Sequence, residues 1–77
     1  MQISFTRHAR QRMQQRGITA AEVAETLEFP DELRPGDAGE EVAVKQYGNR
    51  ELRVVFETTA AETVLIYTVI KPKIKRR

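Results

Sequence analysis

The chain has no cysteine, no tryptophan and a single histidine among its 77 residues. Without cysteine there is no disulfide framework and no thiolate metal site, and nothing in the composition asks for an oxidising compartment, so a cytoplasmic location is expected. One histidine alone cannot supply a structural metal's ligand set, and neither a metal nor another cofactor is expected. Long apolar runs are missing too. The longest, Val64 to Ile70, falls well short of the roughly 20 residues that span a bilayer, and Met1 to His8 has no apolar core behind a basic start. No membrane partner and no secretory signal are therefore expected. The five aromatic residues are scattered, which gives no stacking platform for single-stranded nucleic acid. Glycine-rich phosphate loops, paired catalytic carboxylates and nucleophile elbows are absent as well.

Charge of one sign is weak in sum and strong in place. Thirteen Lys plus Arg against eleven Asp plus Glu leave only +2, too little by itself to mean nucleic-acid binding. The basic residues, however, gather at the two ends: Arg7, Arg10, Arg12 and Arg16 in the first segment, Lys71, Lys73, Lys75, Arg76 and Arg77 in the last, with an acidic stretch from Asp31 to Glu41 between them. Hydrophobic residues at 40% and charged residues at 31% describe a chain that folds without help. At this length one core is all that can form, so residues 1–77 are read as a single domain.

Local chemistry marks the elements. Gln2 to Phe5 reads as a short strand with Ile3 and Phe5 on one face. Thr6 can cap a helix over Arg7 to Gln15, whose apolar positions Ala9 and Met13 lie one turn apart and whose end is set by Gly17. Thr19-Ala20-Ala21-Glu22 has the form of a capping box, which starts a second helix at Ala20 with Val23, Ala24 and Leu27 on its apolar side; it stops before Pro30. Pro35 to Gly39 reads as a loop between a helical and a strand half. Three alternating runs follow, Glu41 to Tyr47, Glu51 to Glu57 and Thr63 to Ile70, whose short connections make them antiparallel. Their expected apolar faces are Val42 and Val44; Leu52, Val54 and Phe56; and Val64, Ile66 and Ile70. The expected fold class is α+β: two N-terminal helices packed on a three- to four-stranded antiparallel sheet, in the order β-α-α-β-β-β.

The first helix holds the residues with most chemical content. His8, Arg12 and Arg16 recur every four positions and form one row beside Phe5, Ala9 and Met13, so the two guanidinium groups are expected at the sheet or its rim. Such groups need partners. Glu51, Glu57 or strand-end carbonyls would make the row architectural; a bound phosphate, held by the planar forks, would make it functional. His8 is the one side chain whose ordinary titration lies near neutrality and is the candidate acid or base. Against that, a histidine in a first helical turn commonly caps or packs. Lys45, Arg53 and Tyr67 lie on the more polar strand faces, where each either lines a cleft or keeps the sheet soluble. Lys71 and Lys73 belong to a cationic tail suited to non-specific phosphate attraction, or to a solubilising terminus.

The string Thr6-Arg7-His8-Ala9, Arg12-Met13, Arg16-Gly17-Ile18-Thr19, then Val23, Leu27 and Pro30, a Gly/Asp loop and a close on Thr68-Val69-Ile70 resembles the domain-of-unknown-function 4258 family over almost the whole chain. That family is considered similar in fold to the RelE/ParE-type toxins of bacterial toxin-antitoxin pairs, some of which cleave RNA without metal. The resemblance implies a RelE-like, toxin-type domain and, by analogy of fold, a metal-independent ribonuclease with RNA or the ribosome as target and a cognate antitoxin protein as partner. His8, Arg12 and Arg16 are the positions matching the motif. With Tyr67 they form the candidate catalytic set, and Arg12, Arg16, Lys45, Arg53, Lys71 and Lys73 the candidate nucleic-acid contacts. The alternative is a non-enzymatic protein-interaction or nucleic-acid-binding domain on the same scaffold.

Overall fold

Thr6 ends the first strand, starts the first helix and ties both to the last strand. In the computed structural model, which describes residues 2–59 and 62–70, its hydroxyl accepts from the Ala9 N–H at 3.0 Å and donates to the Tyr67 carbonyl at 3.0 Å. Its own N–H reaches the Ile66 carbonyl at 3.0 Å. Strand β1 (Gln2–Phe5) thus passes into helix α1 (Arg7–Arg16) over a fixed point on β5 (Thr63–Ile70). Gly17 closes α1 in the left-handed region at φ 68°, where a side chain would be strained.

Helix α2 (Ala20–Glu28) opens on the expected reciprocal pair. The Glu22 N–H donates to the Thr19 hydroxyl at 3.1 Å and the Thr19 N–H to the Glu22 carboxylate at 3.0 Å. Thr19→Ala is expected to lower the unfolding free energy by about 1 kcal/mol in urea titrations, with Thr19→Ser recovering most of it. A change below a few tenths of that value would mean the box is dispensable. At the other end of α2 the Lys45 ammonium donates to the Phe29 carbonyl at 3.0 Å, a cation where the helix exposes its negative pole. Thr26, fully buried, donates its hydroxyl to the Glu22 carbonyl at 2.8 Å, so its polar atom costs little inside.

The remaining strands are β2 (Glu32–Pro35), β3 (Glu41–Tyr47) and β4 (Arg50–Thr58). With β1 and β5 they make one five-stranded sheet in the order β1-β5-β4-β3-β2. The expectation of three or four antiparallel strands is corrected in two places. Strand β2 lies in the acidic stretch, where no strand is expected, because its four residues are all exposed and end in proline, leaving no alternation to see; the turn at 36–40 closes a hairpin that joins β2 to β3. Strand β1 runs parallel to β5, since no short hairpin links them and nothing local fixes their direction. Tyr47 pairs with Arg50, and Gly48 at φ 63° with Asn49 makes the two-residue turn between β3 and β4, with the positive φ at the first central position.

Both helices pack on one face of the sheet. The core there comprises Ala9, Ile18 and Val23 from the helical half and Ala43, Leu52, Val54, Phe56, Val64, Ile66 and Val69 from the strands. Two expected faces are corrected. In β3 it is Ala43 that enters this core, and Val42 and Val44 take the other face. In β5 a register shift between Val55 and Phe56 adds a residue, so Val69 turns in at 1% exposure and Ile70 turns out at 37%. A bulge of one residue exchanges the two faces for everything beyond it.

Candidate functional site

Helix α1 has the sequence Arg-His-Ala-Arg-Gln-Arg-Met-Gln-Gln-Arg and holds no acidic residue. Ala9 is its one fully buried side chain, so the helix is held by a narrow apolar seam and gives the rest of its surface to Arg, His and Gln. Arg12 is half-buried at the rim, while His8 and Arg16 are exposed. The row leans over the edge of the core and does not enter it. The Arg12 Nε donates to His8 Nε2 at a long 3.4 Å, and its terminal nitrogen reaches the Gln15 side-chain oxygen at 3.5 Å.

The carboxylates considered as architectural partners for the row are engaged elsewhere. Glu51 holds Arg53 at 3.3 Å, and Glu57 accepts from the Tyr67 hydroxyl at 2.5 Å. Among the described residues no carboxylate forms an ion pair with an α1 arginine. Among the described residues the partners of Arg12 are thus the neutral side chains of His8 and Gln15 on its own helix.

The other sequence-derived residues are dispersed. Lys45 serves the end of α2, as above. Arg53 lies on the sheet face turned away from the helices, beside Glu51. Tyr67 lies on that same face, where its ring, Val55, Ala38, Glu40 and Glu57 line an open hollow of about 300 Å³. A second hollow of about 380 Å³ is lined by Leu33, Arg34, Pro35, Gly36, Gly39, Glu40 and Glu41. Neither touches α1. The structure thus brings His8 and Arg12 together, with Arg16 one turn further on, and sets Tyr67 apart on the opposite side of the sheet. Lys71 and Lys73 lie outside the described residues. No group of three or more residues suited to a metal occurs among the described ones. No helix among them is long and apolar enough to cross a membrane.

Glu57, expected as a candidate partner of the α1 arginines, holds Tyr67 instead, and Glu40 was not among the candidates. Glu57 was visible as an outward residue of β4, but pairing it with Tyr67 needs the register of β4 on β5. The hydrogen bond to Glu57 is the main reason the Tyr67 hydroxyl ionises above the ordinary tyrosine range; for Tyr47, whose hydroxyl meets Glu25 at 3.1 Å, burial is the main cause of the same direction. Both tyrosines are easier to ionise unfolded than folded. The folded state accordingly keeps its full stability below the ordinary value of about 10 and loses it as pH rises through that value towards the raised folded ones. Urea midpoints are expected to stay level for these groups up to about pH 9 and to fall above about pH 10, with a shallower fall in Tyr47→Phe. An equal fall in both proteins would assign the effect to other groups.

The family model described as Domain of unknown function (DUF4258) matches residues 5–71. Neither a curated protein nor a solved structure matches the chain. The matched span runs from Phe5 through α1, α2 and all four later strands, so it contains every residue of the His8, Arg12 and Arg16 row.

Proposed function

Since the chain belongs to the domain-of-unknown-function 4258 family, a premise that carries no activity with it, we propose from its own side chains that the domain binds RNA through the phosphates and acts as a toxin-like, metal-independent ribonuclease. One observation carries this reading: a helix with four arginines, a histidine and no acid, whose arginines have no carboxylate ion pair among the described residues. Four unneutralised cations on ten residues make a poor structural device and a good phosphate ligand, because each phosphate contact releases condensed counterions. Kinship of fold with the RelE/ParE-type toxins belongs to the same reading, as does an acidic antitoxin that covers the helix.

Cleavage without metal needs a base for the ribose 2′-hydroxyl, an acid for the leaving oxygen and cations around the phosphorane. His8 is the base in this reading, and the proton that it takes from the 2′-hydroxyl is returned, by the imidazolium or through water, to the leaving 5′-oxygen. Arg12 and Arg16, four residues apart on one side of α1, are the clamp for the non-bridging oxygens. Tyr67, with its hydroxyl on Glu57 and its ring on the far face, is left out of this step. The test is incubation of pure protein with end-labelled RNA and with translating ribosomes in excess chelator. Cuts that disappear in His8→Ala while binding persists support the proposal; cuts unchanged in His8→Ala remove the imidazole from it.

The separation of His8 from Tyr67 favours a second reading, a nucleic-acid-binding domain without chemistry. Intact RNA in both assays, together with salt-sensitive binding, would select it. An absence of any RNA affinity at low salt would remove both readings.

A further inference from the structure

The two most exposed large hydrophobic side chains of the described residues are Phe29 at 67% and Leu33 at 56%. They stand close in the chain, one at the C-cap of α2 and the other in β2, the outermost strand of the sheet. Among the described residues, strand β2 has a partner on one side alone. Gly36 donates its N–H to the Glu40 carbonyl at 2.7 Å, and with Arg34 opposite Val42 and Glu32 opposite Val44 the alternation of an antiparallel ladder turns the backbone groups of Arg34 and Glu32 towards β3. Those of Leu33 therefore point outward, a donor and an acceptor on one residue that meet no partner among the described residues.

The side chains on β2 alternate in the same way. Leu33 lies opposite Ala43, on the helix side. Glu32 and Arg34 project from the other face and form a two-pronged ion pair at 2.9 and 3.0 Å, both half-exposed. Acid, apolar residue, base, with the open amide at the centre, is a pattern that complements itself. Turned about a two-fold axis through Leu33, a second β2 runs antiparallel to the first. Leu33 then faces the second copy's Leu33, and Glu32 faces its Arg34 on both sides of the axis. A foreign strand would have to supply an apolar centre and flanking charges in this order; another copy supplies them by symmetry.

We propose that two copies of this chain pair edge to edge through β2, joining two five-stranded sheets into one continuous sheet. The central Leu33 residues exchange two N–H···O bonds, the four charges alternate on one face, and both Phe29 rings lie on the other side near the seam. Pro35 has no N–H and limits the ladder to its centre, so the association is concentration-dependent and not permanent. The α1 helices, over the far half of the sheet, stay exposed in the dimer.

Sedimentation equilibrium of the full chain from about 1 µM to 1 mM covers the relevant affinities. The expected result is a reversible dimer whose dissociation constant rises about tenfold or more in Glu32→Arg and in Arg34→Glu, since each places like charges opposite one another. Mixing the two variants in equal amounts restores dimers, because one then offers two bases where the other offers two acids. Hydrogen exchange reads the same contact without a substitution: the Leu33 N–H becomes protected as concentration rises. A chain monomeric throughout the range overturns the proposal, as do charge variants that dimerise like the parent, a mixture that fails to recover, or a Leu33 N–H that exchanges at one rate at every concentration.

Discussion

Leu52→Ala is expected to remove about 3 kcal/mol of stability and to lower the melting temperature by roughly 12–24 °C. Leu52 is fully buried on β4, the middle strand of the sheet, which lies between β3 and β5, and it pairs with Lys45 of β3. Its side chain belongs to the core cluster beneath the helices, together with Val23, Val54 and Ile66. Truncation to alanine forfeits the transfer free energy of three carbons and leaves a cavity that the middle strand, flanked by a strand on each side, cannot close. For a domain of this size the whole stability is of order 5–10 kcal/mol, so roughly 30–60% of it is at stake. Ile70→Ala, at a position 37% exposed beyond the bulge, should cost less than about 1 kcal/mol. Urea unfolding followed by circular dichroism measures both. Equal losses at the two positions would mean that the assigned register of β5 is wrong.

Replacing Arg7, Arg10, Arg12 and Arg16 together by glutamine should reduce affinity for single-stranded RNA by about two to three decades at 0.1 M salt. If each contributes one phosphate contact, the slope of log K against log salt becomes shallower by about 0.7 per contact, or about 2.8 for four. Extrapolated to 1 M salt, the parent and variant lines converge. Glutamine resembles arginine in helix propensity, and the replaced charges have no carboxylate ion pairs among the described residues, so the fold should be retained. By contrast Arg53→Gln and Lys45→Gln should leave the slope nearly unchanged, because one cation is held by Glu51 and the other by the Phe29 carbonyl. A quadruple variant with the parent slope would move the phosphate contacts off α1 and onto some other part of the chain.

What could be read of the candidate site in the sequence was the part confined to one helix. His8, Arg12 and Arg16 share a row because of the helical repeat alone, and the structure keeps His8 and Arg12 in contact. Tyr67, Lys45 and Arg53 stand out in the sequence only as polar strand residues, since their neighbours are not encoded locally. Their partners, Glu57, the Phe29 carbonyl and Glu51, lie 10, 16 and 2 residues away. The first two of these separations are set by sheet register and by the way α2 meets β3, which no local pattern encodes.

Helix ends and strand limits were determined by the sequence itself, since a threonine hydroxyl three residues ahead of its amide, or a glycine free to take positive φ, acts over less than one turn. Thr6, Gly17 and the Thr19–Glu22 box stand where such chemistry requires, and β3 and β5 keep the expected bounds. Tertiary structure alone decided that Ala43 and not Val42 or Val44 faces the helices, that Val69 replaces Ile70 in the core, that β1 lies parallel to β5, and that Glu32–Pro35 joins the sheet at all. Alternation along a strand says which residues share a side but not which side is covered, and a single bulged residue reverses the answer; only the pairing of distant segments supplies it.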